Sequence, residues 1–570
     1  MKKIINHPAD VIEDYIVGLV MGAPHLARVA DWPVILRAPE ARKHGDKVAV
    51  ISGGGSGHEP AHAGYVGRGM LDAAVLGPVF TSPSVDAVYA AIRAVEPAAG
   101  VILVVKNYTG DRLNFGLAAE LARAAGTRVE LIFVSDDAAL GKGSRAGRRG
   151  LTAAVLVHKI VGAAAERGWD MDRILEVART FLDGAATMGL ALGPCSLPGA
   201  IRPNFELADD EVEWGLGIHG EAGSERGTLA SSAAIAARLI DVIVDDRRIR
   251  AGDDVVALVN GLGGTPDLEL RILQGDVLRE LSNRGVRARM TWAGDFLTAL
   301  ETPGASLTVA KVDRDALELL ADEADVLAFP RATRLLSSDG PTPVPALTLP
   351  TQPSGATGPS RAEVVGVADV TDAIAEALIA AEPRLTELDR TVGDGDLGTN
   401  LARAADVMRA RRDTLASLPT VGDYLAAVSD LLRREVGGTS GPLYSLFVLA
   451  MGERLRGPTP PTSADWVAAF AAGVRRIREI GGAEPGDSTM IDALQPAVDA
   501  LADADESADL LGLAAAAARR GADATAALKP ALGRSSYLGH RAVGVPDPGA
   551  VAIAIQLEAA QTALARRSVS

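Results

Sequence analysis

The sequence has a single cysteine, Cys195, among its 570 residues. An intramolecular disulfide needs two cysteines and a thiolate zinc site needs several, so the sequence excludes both. Because Cys195 lies in an apolar stretch, we expect a buried, inert thiol. Aromatic residues are also scarce, at 4% of the chain, whereas 61 residues are glycine. This composition favours closely packed helices and α/β layers over an aromatic-rich β-sandwich.

Basic residues are fewer than acidic ones. Lys and Arg number 57 against 73 Asp and Glu, which gives a formal net charge of −16. Because Lys and Arg supply most of the affinity for a nucleic-acid backbone, we expect no nucleic-acid partner. The N-terminus lacks the apolar core of a signal peptide, and the 18 uncharged residues 184–201 include four glycines and two prolines. We therefore expect no membrane span and a cytoplasmic protein.

The first 335 or so residues alternate apolar runs with helical patterns. The runs are typical of strands covered on both faces, and they are 47–51, 101–105, 129–134 and 255–259. Helical patterns between them, such as 84–95, 117–125 and 151–167, predict an α/β half with parallel or mixed sheets, in which parallel pairs dominate. Ligands of such sheets bind beyond the carboxyl ends of strands. Two strands run directly into polar, glycine-containing loops there, at 52–60 and 106–111.

The composition then changes twice. Residues 337–360 are rich in Pro, Ser, Thr and Gly, which is typical of an interdomain linker. We therefore predict a first domain at 1–336, a linker at 337–361 and a second domain at 362–570. Strand signals nearly vanish in the second domain, where roughly eight helices predict an all-α barrel or bundle. They are 367–381, 397–412, 421–434, 442–455, 464–479, 491–502, 506–527 and 548–565.

The sharpest local signal is the segment 389–400, DRTVGDGDLGTN. Its three aspartates are Asp389, Asp394 and Asp396. Glycines let their oxygens converge, and such hard ligands suit Mg²⁺ that is shared with substrate phosphates. A helix is predicted to begin between Leu397 and Thr399, and its first N–H groups would receive phosphate oxygens. An acidic turn that only caps this helix is the alternative. A calcium loop fits poorly, because no glutamate closes it at EF-hand spacing.

Other polar residues are less specific by themselves. Turns rich in glycine and hydroxyl groups at 437–442, 486–490, 533–539 and 547–549 would form a nucleotide cradle if they met at one end of a bundle. None is a Walker P-loop or a Rossmann fingerprint. His219 lies among glycines, which leaves nucleophilic or acid–base roles open, with a histidine in a flexible turn as the alternative. His58 and Asp111 follow predicted strands, and His62 is predicted to support them.

Taken in order, these segments closely resemble the two-domain dihydroxyacetone kinases, over almost the whole chain. The matching segments are 52–60 (SGGGSGHEP), 80–85 (FTSPSV), 106–115 (KNYTGDRLNF), 157–164 (VHKIVGAA), 215–221 (GLGIHGE), 393–396 (GDGD), 437–443 (GGTSGPL), 486–494 (GDSTMIDAL), 533–539 (GRSSYLG) and 547–550 (DPGA). The resemblance implies a ketose-binding domain, which could comprise two α/β subdomains, followed by an all-helical domain that binds Mg-ATP.

The resemblance also implies roles for individual residues of the first domain. His219 matches the residue that forms a covalent hemiaminal with the substrate carbonyl. Asp111 matches the general base for the hydroxyl that accepts phosphate, and His58 matches a residue that hydrogen-bonds the substrate and aids catalysis. Gly55 and Lys106 match positions that contact the substrate.

In the second domain, the resemblance implies that Asp389, Asp394 and Asp396 hold two Mg²⁺ ions against the nucleotide phosphates. The predicted nucleotide-binding positions are Leu397, Gly398, Thr399, Thr439, Ser440, Thr489, Met490, Asp547 and Gly549. Fusion of both domains, without a phosphotransferase-relay domain, points to ATP as the donor, and family members of this kind form homodimers. The chain departs from common family residues at Leu397, Ser488, His540 and Val545, which all bear on nucleotide contacts.

The leading prediction is therefore an ATP-dependent dihydroxyacetone kinase. A kinase for D- or L-erythrulose is the rival, since the same imidazole would capture any short ketone. A ketose-binding regulator without turnover is a third hypothesis, which the complete set of three aspartates disfavours. Cyclase activity on flavin nucleotides occurs elsewhere in the family, but no residue identified here supports it.

Overall fold

The structure, a computed structural model, describes residues 2–39, 47–95, 99–140, 147–220, 223–330, 333–335, 361–436, 440–457, 459–505, 509–532 and 534–569. The chain divides into two units, Met1–Val344 and Pro345–Ser570. The predicted linker at 337–360 lies outside the described residues, so its character stays a prediction. Within the described ranges, no helix has both the length and the apolar character needed to cross a bilayer.

The described strands of the first unit form two mixed sheets. They are β1 (Leu26–Arg28), β2 (Val34–Arg37), β3 (Ala49–Ser56), β4 (Ala73–Val79), β5 (Val101–Lys106), β6 (Val129–Val134), β7 (Ala185–Ala191), β8 (Glu211–Trp214), β9 (Glu225–Thr228), β10 (Asp254–Gly261), β11 (Arg287–Gly294), β12 (Gly304–Lys311) and β13 (Thr333–Arg334). The first sheet has the order β1-β2-β4-β3-β5-β6 and the second β13-β11-β10-β12-β7-β8-β9. Every strand predicted from the sequence is present.

Both sheets are mixed, which confirms the prediction of parallel or mixed sheets, but the share of parallel pairs differs between them. In the first sheet β3 pairs in parallel with β4 and β5, and β5 with β6. In the second sheet β10 and β11 are parallel, while the other described pairings are antiparallel. Loops rather than helices join β7 to β8 and β11 to β12. A parallel pair needs a long crossover, so this mixed sheet is mainly antiparallel, and only the expectation that parallel pairs dominate was wrong for it.

The helices of the first unit cover the sheets and fill the space between them. They are α1 (Val11–Gly22), α2 (Val85–Ala94), α3 (Thr109–Ala124), α4 (Ala153–Glu166), α5 (Met171–Gly184), α6 (Ser232–Arg247), α7 (Asp267–Asn283) and α8 (Arg314–Ala321). Helix α4 is buried on all sides from Ala153 to Ala165. It contacts β3 and β5 of the first sheet and β7 of the second, so one core joins both sheets. Cys195 is buried, as predicted.

The described part of the second unit is all helical, as predicted. Its helices are α9 (Arg361–Val392), α10 (Leu397–Ala410), α11 (Arg412–Ala416), α12 (Val421–Glu435), α13 (Ser440–Arg454), α14 (Ser463–Gly481), α15 (Ile491–Ala502), α16 (Leu510–Ala524) and α17 (Pro548–Val569). Helix α9 continues through Pro383 for 32 residues. It is therefore longer than the predicted 367–381 and ends only at the acidic loop.

Helices α9, α10, α12, α13, α14, α15, α16 and α17 pack against one another in chain order, and α17 packs back against α9. This arrangement is a closed helical barrel around an apolar core. Successive neighbours in an up-and-down bundle run in opposite directions. The first turns of α10, α13, α15 and α17 are therefore expected at one end of the barrel, where the acidic loop lies.

Candidate active site

The loops that follow β3, β5 and β8 bring His58, Tyr108 and His219 together in the first unit. The ring centroids of His58 and His219 lie 4.8 Å apart. The ring of Tyr108 lies 4.6 Å from that of His219, and the ring of Phe80 lies 5.3 Å from it. His219 is thus held among three rings that come from separate segments. The structure places His219 beside His58.

His58 has a defined tautomer. Its Nδ1 lies 2.8 Å from the carbonyl oxygen of Thr298, which can only accept, so Nδ1 carries the proton. Burial above all, and then the charges of Lys106 and His219, keep the pKa of His58 well below its usual value. The ring is therefore neutral, and its buried Nε2 has no hydrogen-bond partner among the described residues. His58 offers a bare nitrogen lone pair to whatever ligand enters.

Asp111 and Lys106 lie close together beside the backbone of Gly54. A Cβ atom at Gly54 would be 2.6 Å from Nζ of Lys106 and 3.7 Å from Oδ2 of Asp111. Asp111 is buried in the first turn of α3, and its Oδ1 has no hydrogen-bond partner among the described residues. Burial lowers the pKa of Lys106, whereas Asp111 and Glu59 oppose that shift. A carboxylate oxygen and an ammonium group thus face the same small space.

Gly55 has a packing role that its sequence pattern did not reveal. A Cβ atom there would lie 2.6 Å from the backbone nitrogen of Thr81 and 2.8 Å from the carbonyl carbon of Phe80. Phe80 adopts a left-handed φ of 58°, and its ring stacks on that of His58 with centroids 5.2 Å apart. The absence of a side chain at Gly55 therefore lets Phe80 cover His58. The predicted contact between Gly55 and substrate stays a prediction.

In the second unit, Asp389, Asp394 and Asp396 each offer an oxygen atom within 4.8 Å of the others. Oδ2 of Asp389 accepts the N–H groups of Asp396 and Leu397, at 2.8 and 3.0 Å. Helix α10 begins at Leu397, within the predicted range. Capping, the alternative reading of this loop, accounts for those two contacts of Asp389. The convergence of three carboxylates, all hard oxygen donors, fits Mg²⁺.

The turns before α15 and α17 lie beside the same aspartates. A Cβ atom at Gly549 would be 3.7 Å from Cβ of Met490. Burial, together with the nearby charges of Asp492 and Asp389, raises the pKa of Asp547 to about 7. Since these charges act on one carboxyl group, the loops that carry them meet at one end of the barrel. The predicted positions Thr489, Met490, Asp547 and Gly549 belong to this group.

Asp492 is a residue of this region that the sequence analysis did not single out. Its carboxylate is buried and accepts the N–H groups of Gly486 and Thr489, at 2.5 and 2.8 Å. It therefore holds the turn that presents Thr489, while Ser488 within that turn has a φ of 58°. The available signal was an aspartate in the first turn of a predicted helix, where a negative charge is favourable.

The remaining predicted nucleotide positions lie at helix starts. Gly398 is buried against α9, where a Cβ atom would be 2.3 Å from Oγ1 of Thr386. Thr399 is exposed in the first turn of α10, and Ser440 begins α13. Thr439 lies outside the described residues. Contacts of any of these residues with a nucleotide stay predictions.

Comparisons with known proteins agree with this architecture. Residues 17–328 match the Dak1 domain and residues 391–562 the DAK2 domain. The triokinase/FMN cyclase of Homo sapiens is 41% identical, with 98% of each chain covered. The D-erythrulose kinase of Mycolicibacterium smegmatis is 36% identical, with 97% of each covered. The crystal structure of the C. freundii dihydroxyacetone kinase with AMP-PNP and Mg²⁺ is 34% identical, with a TM-score of 0.65 and 98% of this chain and 99% of that chain covered.

An α/β unit with a cluster of buried polar side chains, followed by a helical barrel with converging carboxylates, defines a two-domain phosphotransferase that acts on a hydroxyl group. The chain belongs to the dihydroxyacetone kinase family. This finding confirms the resemblance that the sequence motifs showed.

Proposed function

We propose that this protein transfers the terminal phosphate of ATP to a hydroxyl group of dihydroxyacetone. The observation that carries the proposal is a pair of buried polar atoms without a hydrogen-bond partner among the described residues: Nε2 of His58, beside His219, and Oδ1 of Asp111, near Lys106. Buried polar atoms are rarely left unsatisfied, so each is expected to meet a ligand group. Names of the relatives, which include dihydroxyacetone kinase, support the same substrate.

Capture of the ketose would use His219. An imidazole nitrogen attacks the carbonyl carbon and forms a C–N bond, while the C=O π electrons move to the oxygen. The oxygen gains a proton and the other ring nitrogen loses one, so the hemiaminal is neutral. Glycerol has no carbonyl group and would not be captured. The surrounding rings of Phe80, Tyr108 and His58 limit the orientations that the imidazole can take.

Asp111 would then accept the proton of the reacting hydroxyl group, whose oxygen attacks the terminal phosphorus of ATP as the bond to ADP breaks. Lys106 would contact the substrate and His58 would accept a hydrogen bond from a substrate hydroxyl. Asp389, Asp394 and Asp396 would hold Mg²⁺, two ions by the family resemblance, which neutralises phosphate charge when bound. The turns that present Ser440, Thr489 and Asp547 would hold the nucleotide.

The test is ADP release by the pure protein with Mg²⁺, ATP and one of five acceptors: dihydroxyacetone, D-erythrulose, L-erythrulose, glyceraldehyde or glycerol. We expect the fastest turnover with dihydroxyacetone and none above background with glycerol. Equal rates with glycerol would contradict carbonyl capture by His219. No ADP release above background with any ketose would favour the regulator without turnover.

A four-carbon ketose is the second candidate substrate. The relative named D-erythrulose kinase supports it, because it matches 97% of this chain. The capture chemistry is the same for both ketoses, so only the room around His219 distinguishes them. A kcat/KM for one erythrulose that is about tenfold or more above that for dihydroxyacetone would favour this candidate. Such a ratio corresponds to a difference of roughly 1.4 kcal/mol in activation free energy.

We also propose a cytoplasmic homodimer, as the family resemblance implies. Light scattering coupled to size-exclusion chromatography would give the mass of the assembly. A mass equal to the single chain of 58.8 kDa would contradict the dimer.

A further inference from the structure

A chain of buried polar side chains runs from Lys106 into the interior of the first unit. Nζ of Lys106 lies 2.6 Å from Nε2 of His62. Nδ1 of His62 lies 3.4 Å from Oγ of Ser52, and Nε2 of His158 lies 3.1 Å from the same oxygen. The rings of His62 and His158 meet edge to face with centroids 5.1 Å apart. All four side chains are buried.

Only one arrangement of protons suits these contacts. An ammonium group can only donate, so Nε2 of His62 accepts from Lys106 and its proton lies on Nδ1, toward Ser52. The Ser52 hydroxyl donates to the carbonyl oxygen of Val104 at 2.7 Å. Its lone pairs are then available to the N–H groups of His62 and His158. Ser52 is thus the common acceptor that keeps His62 in the tautomer that Lys106 needs.

The charged groups around His62 favour its neutral form. Burial and the charge of Lys106 lower the pKa of both His62 and His158. The charges of Asp111 and Glu59 favour the charged form of Lys106. A protonated His62 would have no lone pair for Lys106 and would place two cations in contact. The contact therefore depends on His62 being neutral.

We propose that His62 is a positioning residue for Lys106, with its tautomer set by Ser52 and His158. The proposal rests on the proposed function, in which Lys106 contacts the ketose and Asp111 takes the proton. Without an acceptor at position 62, a buried ammonium group would turn toward Asp111. That ion pair would use the carboxylate that the reaction requires as a base.

The kinetic test compares His62→Leu, His62→Gln and the wild type. Leucine removes the acceptor, whereas the glutamine oxygen can still accept from Lys106. Leaving a buried donor unsatisfied predicts a roughly tenfold to hundredfold loss of kcat/KM for dihydroxyacetone in His62→Leu, with the KM for ATP unchanged. His62→Gln should recover most of that loss. The matched control is Thr152→Val, which removes a buried hydroxyl contact to Ser306 of 3.2 Å and should leave both constants unchanged.

A second measurement does not depend on turnover. Nuclear magnetic resonance of the full chain with ¹⁵N-labelled histidine reports which ring nitrogen carries the proton, and the His62→Gln spectrum identifies the signals of His62. We expect a protonated Nδ1 and a bare Nε2. A protonated Nε2 would overturn the proposal, as would equal kcat/KM in His62→Leu and wild type, or equal losses in His62→Leu and His62→Gln. If the wild type releases no ketose-dependent ADP, the proposed function fails, and the resonance result still decides the role of His62.

Discussion

The imidazole rings of His58 and His219 lie with their centroids 4.8 Å apart and their planes at 66°. His58 follows β3 of the first sheet, and His219 follows β8 of the second sheet. The hydrogen bond from Nδ1 of His58 to the carbonyl oxygen of Thr298, a residue that follows β11, ties the same corner together. The candidate ketose site therefore lies where the loops of both sheets meet.

Replacing His219 with alanine should abolish ketose-dependent ADP release, because the proposed carbon–nitrogen bond can no longer form. A loss of at least about a hundredfold in kcat is expected for removal of a nucleophile. Calorimetric binding of dihydroxyacetone without nucleotide should vanish as well. Retained binding with lost turnover would instead place His219 in a later step.

Replacing Asp394 with asparagine should weaken the response to Mg²⁺, because one of three converging carboxylates loses its charge. We expect at least a roughly tenfold increase in the Mg²⁺ concentration that gives half-maximal ADP release. The matched control is Asp406→Asn, an exposed aspartate of helix α10, which follows the acidic loop; it carries the same change of charge. Equal effects of the two variants would show that overall charge, and not the cluster, sets the response.

Asp547 predicts a pH dependence of stability in the metal-free protein. Its pKa is raised to about 7 from an ordinary value of 3.8. The folded state therefore keeps a proton that the unfolded state loses near pH 4. The free energy of unfolding should fall as pH rises from about 4 to 7, by up to roughly 4 kcal/mol, and stay level above that.

Denaturant unfolding in EDTA at several pH values measures the free energy of unfolding. Hydrogen exchange in peptides of α17 then shows whether the change lies near Asp547. Asp547→Asn cannot ionise and should remove most of the pH dependence. Asp406→Asn again serves as the control. Parallel pH profiles of Asp547→Asn and the wild type would show that another group causes the change.

Replacing Gly398 with alanine should destabilise the barrel. The new Cβ atom would lie 2.3 Å from Oγ1 of Thr386 and 2.5 Å from the carbonyl oxygen of Glu382. Forcing α10 away from α9 should cost about 1–3 kcal/mol of unfolding free energy, and the acidic loop should bind Mg²⁺ less well. Gly275→Ala in α7 is the control, since nothing lies within 4 Å of its Cβ position. It should stabilise by up to about 1 kcal/mol. Denaturant titration measures both, and a neutral Gly398→Ala would contradict the packing argument.

Features of the molecule that depend on residues adjacent in the sequence could be predicted well. The apolar run at 129–134 coincides with β6, and α10 begins within the predicted three-residue range. The convergence of Asp389, Asp394 and Asp396 follows from a short loop with glycines, and the structure brings them together. Asp492 was missed because its role depends on how its carboxylate meets the turn before α15.

The α/β and helical halves, the acidic loop and the family could all be predicted from the sequence, because periodicity and short motifs are local properties. Three features became clear only in the folded chain: the second sheet is mainly antiparallel, Gly55 makes room for Phe80, and His62 contacts Lys106. These relations join segments far apart in the chain. Each depends on close packing, where the position of one side chain is set by atoms that no local pattern encodes.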